Sequence, residues 1–248
     1  MIKIESRSND KFKLWHELTK SKGIKKEGLL ILPGKKLCHE ILHSKRHEVL
    51  TEIIPSGQKP MTQDFKKQFE LSHVLFAELD LLGTKENLFI LRAPEIKKID
   101  SVPDVQGLEL VCPISDPSNM GAIIRSAVAF GVRQIILTKE SANPYLQKSI
   151  KASSGYCLDV NLVKSDLEIH QFVDQNDDCY ALDMKGKDIQ NVQFGKNCRL
   201  ILGQEGLGIP QQNRLKKIKI KTEKVESLNV AIAASIVLFQ ISSSKKCE

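Results

Sequence analysis

The sequence LELVCPISDPSNMGAIIRSAVAFG, residues 108–131, indicates the fold most directly. Its first five residues are apolar enough for a buried strand, and residues 121–130 have the composition of a helix that stops at Gly131. Strand-like and helix-like segments alternate from here to residue 241 with short connections. This alternation predicts an α/β fold in which a parallel sheet is covered by helices on both faces.

Further strands and helices are predicted downstream. The expected strands are 134–138, 160–163, 179–182 and 199–202, and the expected helices are 144–152, 166–175 and 228–241. Ligands of parallel sheets bind at the carboxyl ends of the strands. The loops after Cys112 and Leu202 are therefore where we expect a site.

The first 92 residues predict a separate small α/β unit. Helices are expected at 11–22 and 35–44, and strands at 29–32, 49–54 and 88–91. The polar stretch that follows contains Pro103 and has the composition of a linker. The predicted division is a small domain at 1–94, a linker at 95–107 and a larger domain at 108–248.

Positive charge is concentrated at the beginning of the chain. The net charge is +7, and residues 1–48 carry 12 Lys and Arg against 6 Asp and Glu. A second basic run spans residues 214–224. This distribution indicates a polyanionic partner such as nucleic acid, with a solvated lysine-rich surface as the alternative. The apolar stretch 228–241 is too short for a bilayer and no secretory signal is visible, so we expect a cytoplasmic protein without a membrane partner.

Metal binding is not expected. The six cysteines are scattered singly and form no C-x-x-C pair. His39-Glu40-Ile41-Leu42-His43 matches the H-E-x-x-H pattern of zinc proteases. The match lies in a short basic helix without the extension that a third ligand would need, so we interpret it as accidental.

A first candidate site segment is DPSNMGAIIR, residues 116–125. Gly121 and Arg125 are one helical turn apart, and helical side chains lean toward the N-terminus. Arg125 can therefore reach back to the helix start, where free N–H groups and a guanidinium suit an anion such as RNA phosphate. In the alternative interpretation Ser118 or Asn119 merely caps the helix and Arg125 is a surface charge.

Two later segments complete the candidate set. GQEGLGIP, residues 203–210, contains three glycines that permit close approach to a ligand, but its spacing does not match the dinucleotide fingerprint. Its carboxylate, Glu205, either orients another group or is a solvated turn residue.

The other segment, ESLNVAIAASIVL at residues 226–238, begins a helix for which Ser227 is a candidate cap. That helix is apolar nearly all round, so it is buried in a core or against another subunit, and Asn229 then needs a polar partner.

Together and in this order, the three segments resemble the three motifs of the SpoU (TrmH-like) branch of the SPOUT RNA methyltransferases. The resemblance covers about residues 108–241 and includes the turn Ala152-Ser153-Ser154-Gly155 between motifs one and two. Residues 1–92 resemble the small RNA-binding domain often fused in front. The chain departs from the family in residues 218–222, which lack the usual proline, and in Gln204, where Asn is common.

The resemblance implies a ribose 2′-O-methyltransferase that uses S-adenosylmethionine, folds with a C-terminal trefoil knot and forms a homodimer. The cofactor is expected to be held by backbone in the knot. Its predicted contacts are Leu202, Gly203, Gly208, Ile220 and Leu228. Ribosomal RNA is favoured over transfer RNA because the fused domain is typical of rRNA enzymes. A non-catalytic RNA-binding protein of the same fold and a tRNA 2′-O-methyltransferase are the alternatives.

The resemblance also implies catalytic roles. Arg125 is expected to bind the phosphate beside the target ribose and to stabilise the forming alkoxide, in its own site or in the partner's, because arginine remains protonated in proteins. Asn119 and Asn229 are expected to hold the loop and the ribose by hydrogen bonds. Ser227 is expected to orient Arg125 or the substrate, and Glu205 to fix the motif-two loop or Asn119.

Overall fold

The structure is a computed structural model that describes residues 1–61, 68–172, 178–203 and 215–244. The chain divides into two compact units. Unit 1 comprises Met1–Glu95 and Asn143–Leu158, and unit 2 comprises Ile96–Ala142 and Asp159–Glu248.

The helices and strands follow one another in a regular order. The first part of unit 1 contains β1 (Ile2–Ile4), α1 (Asp10–Glu17), α2 (Ser21–Glu27), β2 (Leu29–Leu32), α3 (Lys35–Ser44), β3 (Val49–Pro55), β4 (Gln68–Leu71), α4 (His73–Leu79) and β5 (Leu88–Arg92). The first part of unit 2 contains β6 (Lys97–Ile99), β7 (Leu108–Cys112), α5 (Pro117–Ala129) and β8 (Gln134–Leu137). Helix α6 (Gln147–Ala152) returns to unit 1. Unit 2 continues with β9 (Leu162–Ser165), β10 (Cys179–Asp188), β11 (Cys198–Ile201), β12 (Lys216–Lys219) and α7 (Val230–Ser244).

Unit 1 is built on a mixed sheet of strand order β1-β4-β3-β5-β2. Strand β5 is antiparallel to both neighbours, whereas β1 and β3 run parallel to β4. Its core includes Trp15, which packs edge-on against Phe69 at 5.2 Å between ring centroids. The predicted helix 11–22 is wrong as a single element, because the chain turns after Leu18 and α2 begins at Ser21.

Unit 2 contains a seven-stranded sheet of order β12-β10-β11-β7-β8-β9-β6 in the described residues, and all of its strand pairs are parallel. The predicted parallel α/β sheet is therefore confirmed. In its centre, Arg199 of β11 faces Glu109 of β7 in register, with an Nη2–Oε2 distance of 2.7 Å and both side chains almost fully buried. Arg199 also donates to the carbonyl of Pro103 at 2.7 Å.

The compact units divide the chain differently from the predicted domains at two places. Residues 143–158 belong to unit 1, where the Gln147 side-chain amide donates to the Leu79 carbonyl at 2.6 Å. The predicted linker 95–107 contains β6, an edge strand that pairs with β9, and Val105 is buried. The predicted helix 166–175 is wrong over its described part, which forms only a 3-10 turn at Ile169–Phe172.

Candidate functional site

The first candidate segment forms the start of α5. The Asp116 carboxylate accepts a hydrogen bond from the Asn119 backbone N–H at 2.7 Å, and Pro117 occupies the first turn. A proline is well placed there because its fixed φ suits a helix start. The predicted start at residue 121 and the predicted caps Ser118 or Asn119 are therefore wrong. Because Asp116 caps the helix, the side chain of Asn119 is available for another contact.

That contact is made with the start of α7. The Asn229 side-chain amide donates to the Asn119 side-chain oxygen at 3.1 Å. The oxygen of Asn229 accepts from the backbone N–H groups of Ala231 at 2.9 Å and Ile232 at 3.4 Å, so Asn229 caps α7. Ser227 was predicted as the cap, and this is wrong because α7 begins three residues later. Asn229 has the partner that it was expected to need, but it is exposed rather than buried.

A cavity of about 590 Å³ lies beside this contact in unit 2. Its walls come from the middle of β10, from the chain directly after β11, from the end of β12 and the chain after it, and from the start of α7. The lining residues are Leu182, Asp183, Met184, Leu202, Gly203, Lys219, Ile220, Thr222, Glu226, Ser227, Leu228, Val230 and Ala233. Four of the five predicted cofactor contacts, Leu202, Gly203, Ile220 and Leu228, thus share one cavity, and their role stays a prediction.

The motif-two strand positions the cavity floor. Leu202 follows β11 and donates its backbone N–H to the Val111 carbonyl at 3.0 Å, which fixes Gly203 at the carboxyl edge of the sheet. Glu205 and Gly208 lie outside the described residues, so their predicted roles are not tested by this geometry.

Arg125 lies on the exposed side of α5 and does not line the cavity. Its guanidinium has no hydrogen bond or ion pair with any residue of the described ranges. The helix that carries it is fixed against α7, because the Ser126 and Ser235 hydroxyls lie 2.7 Å apart and the Phe130 and Phe239 rings meet edge to face at 5.8 Å. Within the described part of the chain, Arg125 is therefore an exposed cation without a partner, on a helix that packs against α7.

Helix α7 has one buried face and one exposed apolar face. The buried face consists of Ala231, Ala234, Val237, Leu238 and Ile241. On the other side Ile232 is 54%, Ile236 38% and Phe239 54% exposed. The prediction that this helix is buried in a core holds for its first face, and the second face has room for a partner.

Asp183 was missed by sequence reasoning. Its carboxylate contacts Lys217 with an Oδ2–Nζ distance of 2.7 Å and accepts the Lys185 backbone N–H at 2.8 Å. The hydrogen bond from Lys217 holds the pKa of Asp183 below its ordinary value. Its only sequence signal is an acidic residue directly after a predicted strand.

A second cavity, of about 300 Å³, lies in unit 1. It is lined at the start of α3 by Gly34, Lys35 and Lys36, and across from them by Lys151 and Ser154. All three lysines are exposed, which places positive charge around the opening.

The H-E-x-x-H match lies in α3. The ring nitrogen Nδ1 of His43 is 2.8 Å from the His39 carbonyl oxygen and is engaged with backbone. Within residues 1–61, 68–172, 178–203 and 215–244, no group of three or more His, Cys, Asp or Glu side chains lies close enough together to hold a metal ion. No helix in the described part of the chain is long and apolar enough to cross a membrane.

Comparison with known proteins adds independent information. The family model of the SpoU rRNA Methylase family matches residues 110–239, just over half of the chain. A Syntrophobacter fumaroxidans protein named ribosomal RNA small subunit methyltransferase G 2 is 35% identical over 98% of this chain, which spans only 49% of that protein. The 23S rRNA (guanosine(2553)-2′-O)-methyltransferase RlmP of Bacillus subtilis is 24% identical and covers 97% of this chain and 99% of its own. The fold matches that of an AdoMet-bound rRNA methyltransferase from Sinorhizobium meliloti, with a TM-score of 0.75, 21% identity and 97% coverage of both chains.

Proposed function

The chain belongs to the SpoU rRNA Methylase family, and we propose on that basis that it transfers a methyl group from S-adenosylmethionine to a ribose 2′-hydroxyl of ribosomal RNA. The full-length match to a 23S rRNA 2′-O-methyltransferase supports this reaction. The Syntrophobacter relative is about twice as long, so its name does not select a ribosomal subunit for this chain.

The observation that carries the proposal is the convergence of three separate segments. Asn119 from the first and Asn229 from the third are joined by a hydrogen bond. Gly203 from the second and Ser227 from the third line the same cavity. Residues so far apart in sequence meet at the carboxyl ends of parallel strands, which is where ligands of such sheets bind.

The cavity fits the proposed cofactor in size and chemistry. Its volume of about 590 Å³ lies within the roughly 300–1,000 Å³ of small-molecule sites. Leu202, Ile220 and Leu228 supply apolar wall for the adenine base, and Asp183 and Lys219 supply charge of both signs for the polar groups. When bound, S-adenosylmethionine supplies an electrophilic methyl group on a sulfonium sulfur. Residues 218–222, despite lacking the family's proline, contribute Lys219, Ile220 and Thr222 to the wall.

In this mechanism the protein positions a poor nucleophile and stabilises the negative charge that develops on it. Arg125 binds the phosphate next to the target ribose and donates to the 2′ oxygen as its proton leaves to water. A guanidinium suits this role because it stays protonated and presents several donors in a fixed fork. Asn119 and Asn229 hold the starts of α5 and α7 together, and Ser227 orients the substrate beside the cavity.

A homodimer is part of the proposal because Arg125 lies outside the cavity of its own chain. Two features support it: the guanidinium has no partner in the described residues, and α7 presents Ile232, Ile236 and Phe239 to solvent. In a symmetric dimer the same patch faces itself. We infer that two copies pack through this face and that Arg125 completes the partner's site.

Unit 1 is proposed to hold the RNA. Its first 48 residues carry most of the net charge, and Lys35, Lys36 and Lys151 surround the opening of its cavity. Contacts of lysines with phosphates bind RNA without reading its sequence, and binding then weakens steeply with salt. The 2′-hydroxyl restricts the reaction to RNA. We also propose a cytoplasmic location, because ribosomal RNA is the proposed substrate.

We further propose that unit 2 contains the trefoil knot of this family. The strand order supports it, because the chain passes from the inner strand β11 to the edge strand β12 and then returns in α7 to pack against α5. The connection through residues 204–214 lies outside the described residues.

Mapping 2′-O-methyl positions in RNA from a strain that lacks the gene tests the substrate. We expect one ribosomal position to lose its methyl group and to regain it when the gene is restored. Loss from a transfer RNA alone would make the chain a tRNA methyltransferase. Failure of the purified protein to bind S-adenosylmethionine in calorimetry, with RNA binding retained, would favour the non-catalytic alternative.

A further inference from the structure

Strand β10 contains an irregularity at the rim of the cavity. Leu182 pairs with Ile218 of β12, and Lys187 pairs with the same residue, so residues 183–186 loop out of the ladder. A bulge of this kind redirects side chains and is common next to functional sites. Here it turns Asp183 and Met184 into the lining of the cavity.

Gly186 makes this bulge possible. A Cβ atom at this position would lie 2.5 Å from the backbone nitrogen of Ile218 and 2.5 Å from the backbone carbon of Lys217. Such contacts are with backbone of the neighbouring strand, which cannot rotate away. Glycine is therefore required for β10 and β12 to stay paired on both sides of the loop.

The bulge holds the Asp183 carboxylate in a fixed position. One oxygen contacts the Lys217 ammonium and the other accepts the Lys185 N–H, and the side chain is 22% exposed. Each carboxylate oxygen has two acceptor positions, so both oxygens keep capacity for a further hydrogen bond. Glu226, the other acid of the lining, is exposed and has no comparable anchor in the described residues.

The location of Asp183 indicates which ligand groups donate hydrogen bonds to its carboxylate. Asp183 lies in β10 two residues past Ala181, which pairs with Ile201 of β11, and Gly203 lies two residues past Ile201. In other parallel sheets that bind nucleotides, an acidic residue beyond the strand next to the glycine loop accepts hydrogen bonds from ribose hydroxyls. The Lys217 ammonium already neutralises much of the Asp183 charge, which makes this carboxylate a better acceptor for hydroxyl groups than a site for a second cation.

We propose that Asp183 binds the ribose of the methyl donor by accepting hydrogen bonds from its 2′ and 3′ hydroxyls. This inference rests on the proposed function, because it assigns a contact within the proposed cofactor cavity. Asp183 is then a specificity-determining residue that distinguishes ribonucleoside ligands from their deoxy analogues.

The test is a thermodynamic cycle on ligand affinity rather than on activity. S-adenosylhomocysteine and its 2′,3′-dideoxy analogue are titrated by calorimetry into the wild-type protein and into Asp183→Asn. Removal of the hydroxyls is expected to weaken binding to the wild type about tenfold or more, since hydrogen bonds to a charged group are strong. In Asp183→Asn, removal of the same hydroxyls is expected to lower the affinity by less than about threefold.

If removal of the hydroxyls lowers the affinity equally in both proteins, the inference is overturned. This is also the result expected if Asp183 contacts the amino group that both ligands share. Glu223→Gln removes the same charge from an exposed position outside the cavity and is expected to behave as the wild type. If Asp183→Asn fails to fold, Asp183→Ser replaces it in the cycle. Failure of the wild type to bind S-adenosylhomocysteine would instead contradict the proposed function.

Discussion

Asn229 donates its side-chain amide to the side-chain oxygen of Asn119 at 3.1 Å, although 110 positions separate the two residues. The same Asn229 caps α7, so a single side chain fixes the start of that helix and ties it to the first turn of α5. This link explains how the first and third segments of the site keep a common geometry.

Asn229→Ser separates the two roles of this side chain. Serine is a good helix cap but lacks the amide that reaches Asn119, so we expect nearly unchanged thermal stability and reduced methyl transfer. Asn229→Ala loses both roles and is expected to lose a further ~1 kcal/mol of stability. Thermal unfolding and initial rates measured on both variants check this. Equal activity in Asn229→Ser and wild type would show that the link to Asn119 is not needed.

Arg125→Ala is expected to lower kcat by roughly 10²–10³, because it removes a donor to the developing alkoxide. Affinity for S-adenosylmethionine should remain nearly the same, since Arg125 does not line the cavity. Arg133→Ala is the matched control, because Arg133 is also an exposed arginine of unit 2. Unchanged turnover in Arg125→Ala would remove Arg125 from the mechanism.

If Arg125 completes the site of the partner subunit, two different inactive variants should restore activity when they are mixed. Ala233→Trp fills the cavity and Arg125→Ala removes the guanidinium, so each variant alone should be inactive. After mixing and exchange of subunits, the heterodimers contain one intact site, and the mixture should recover about a quarter of wild-type activity. No recovery, with exchange verified by light scattering of tagged subunits, would place Arg125 and the cavity in independent sites.

The exposed face of α7 predicts the oligomeric state. Ile232→Glu combined with Ile236→Glu places charges on the proposed interface and is expected to yield monomers in analytical ultracentrifugation, whereas the wild type sediments as a dimer. Ser242→Glu, on a partly exposed residue near the end of the same helix, tests whether charge alone has an effect. A dimer that survives the double substitution would move the interface elsewhere.

The buried pair Glu109 and Arg199 predicts a stability effect remote from the site. Arg199→Met leaves the Glu109 carboxylate buried without its partner and is expected to cost about 3–5 kcal/mol. Replacing both residues by leucine should restore much of this loss, because no charge then remains buried. Chemical denaturation followed by fluorescence compares the variants, and a double variant as unstable as Arg199→Met would contradict this explanation.

The local parts of this fold were predictable from sequence. Leu108–Cys112 and Lys35–Ser44 coincide with their predicted bounds, because a mostly apolar run and a helical period are local signals. The start of α5 was placed late at residue 121, although Asp116-Pro117 contains both a cap and a proline suited to the first turn. The polar composition of residues 116–120 resembles that of a loop, although these residues form a capped helix start.

The remaining differences depend on contacts that sequence does not show. Gln147 packs in unit 1, and an amphipathic helix pattern does not indicate which core it joins. Lys97–Ile99 has a linker-like composition because an edge strand tolerates exposed lysines. The position of Asp183 follows from pairing between β10 and β12, which begin 37 residues apart. For this reason the family resemblance located Leu202, Gly203, Ile220 and Leu228 in the cavity wall but not this carboxylate.

The most direct test of the central claim is methyl transfer by the purified protein. Ribosomal RNA from cells that lack the gene is incubated with S-adenosylmethionine carrying a deuterated methyl group, digested to nucleosides and analysed by mass spectrometry. We predict label in a single 2′-O-methylated nucleoside, formed at least about 100-fold more slowly when Arg125→Ala replaces the wild type. Label on a base, or none in any ribose with ribosomal and transfer RNA as substrates, would contradict the proposed function.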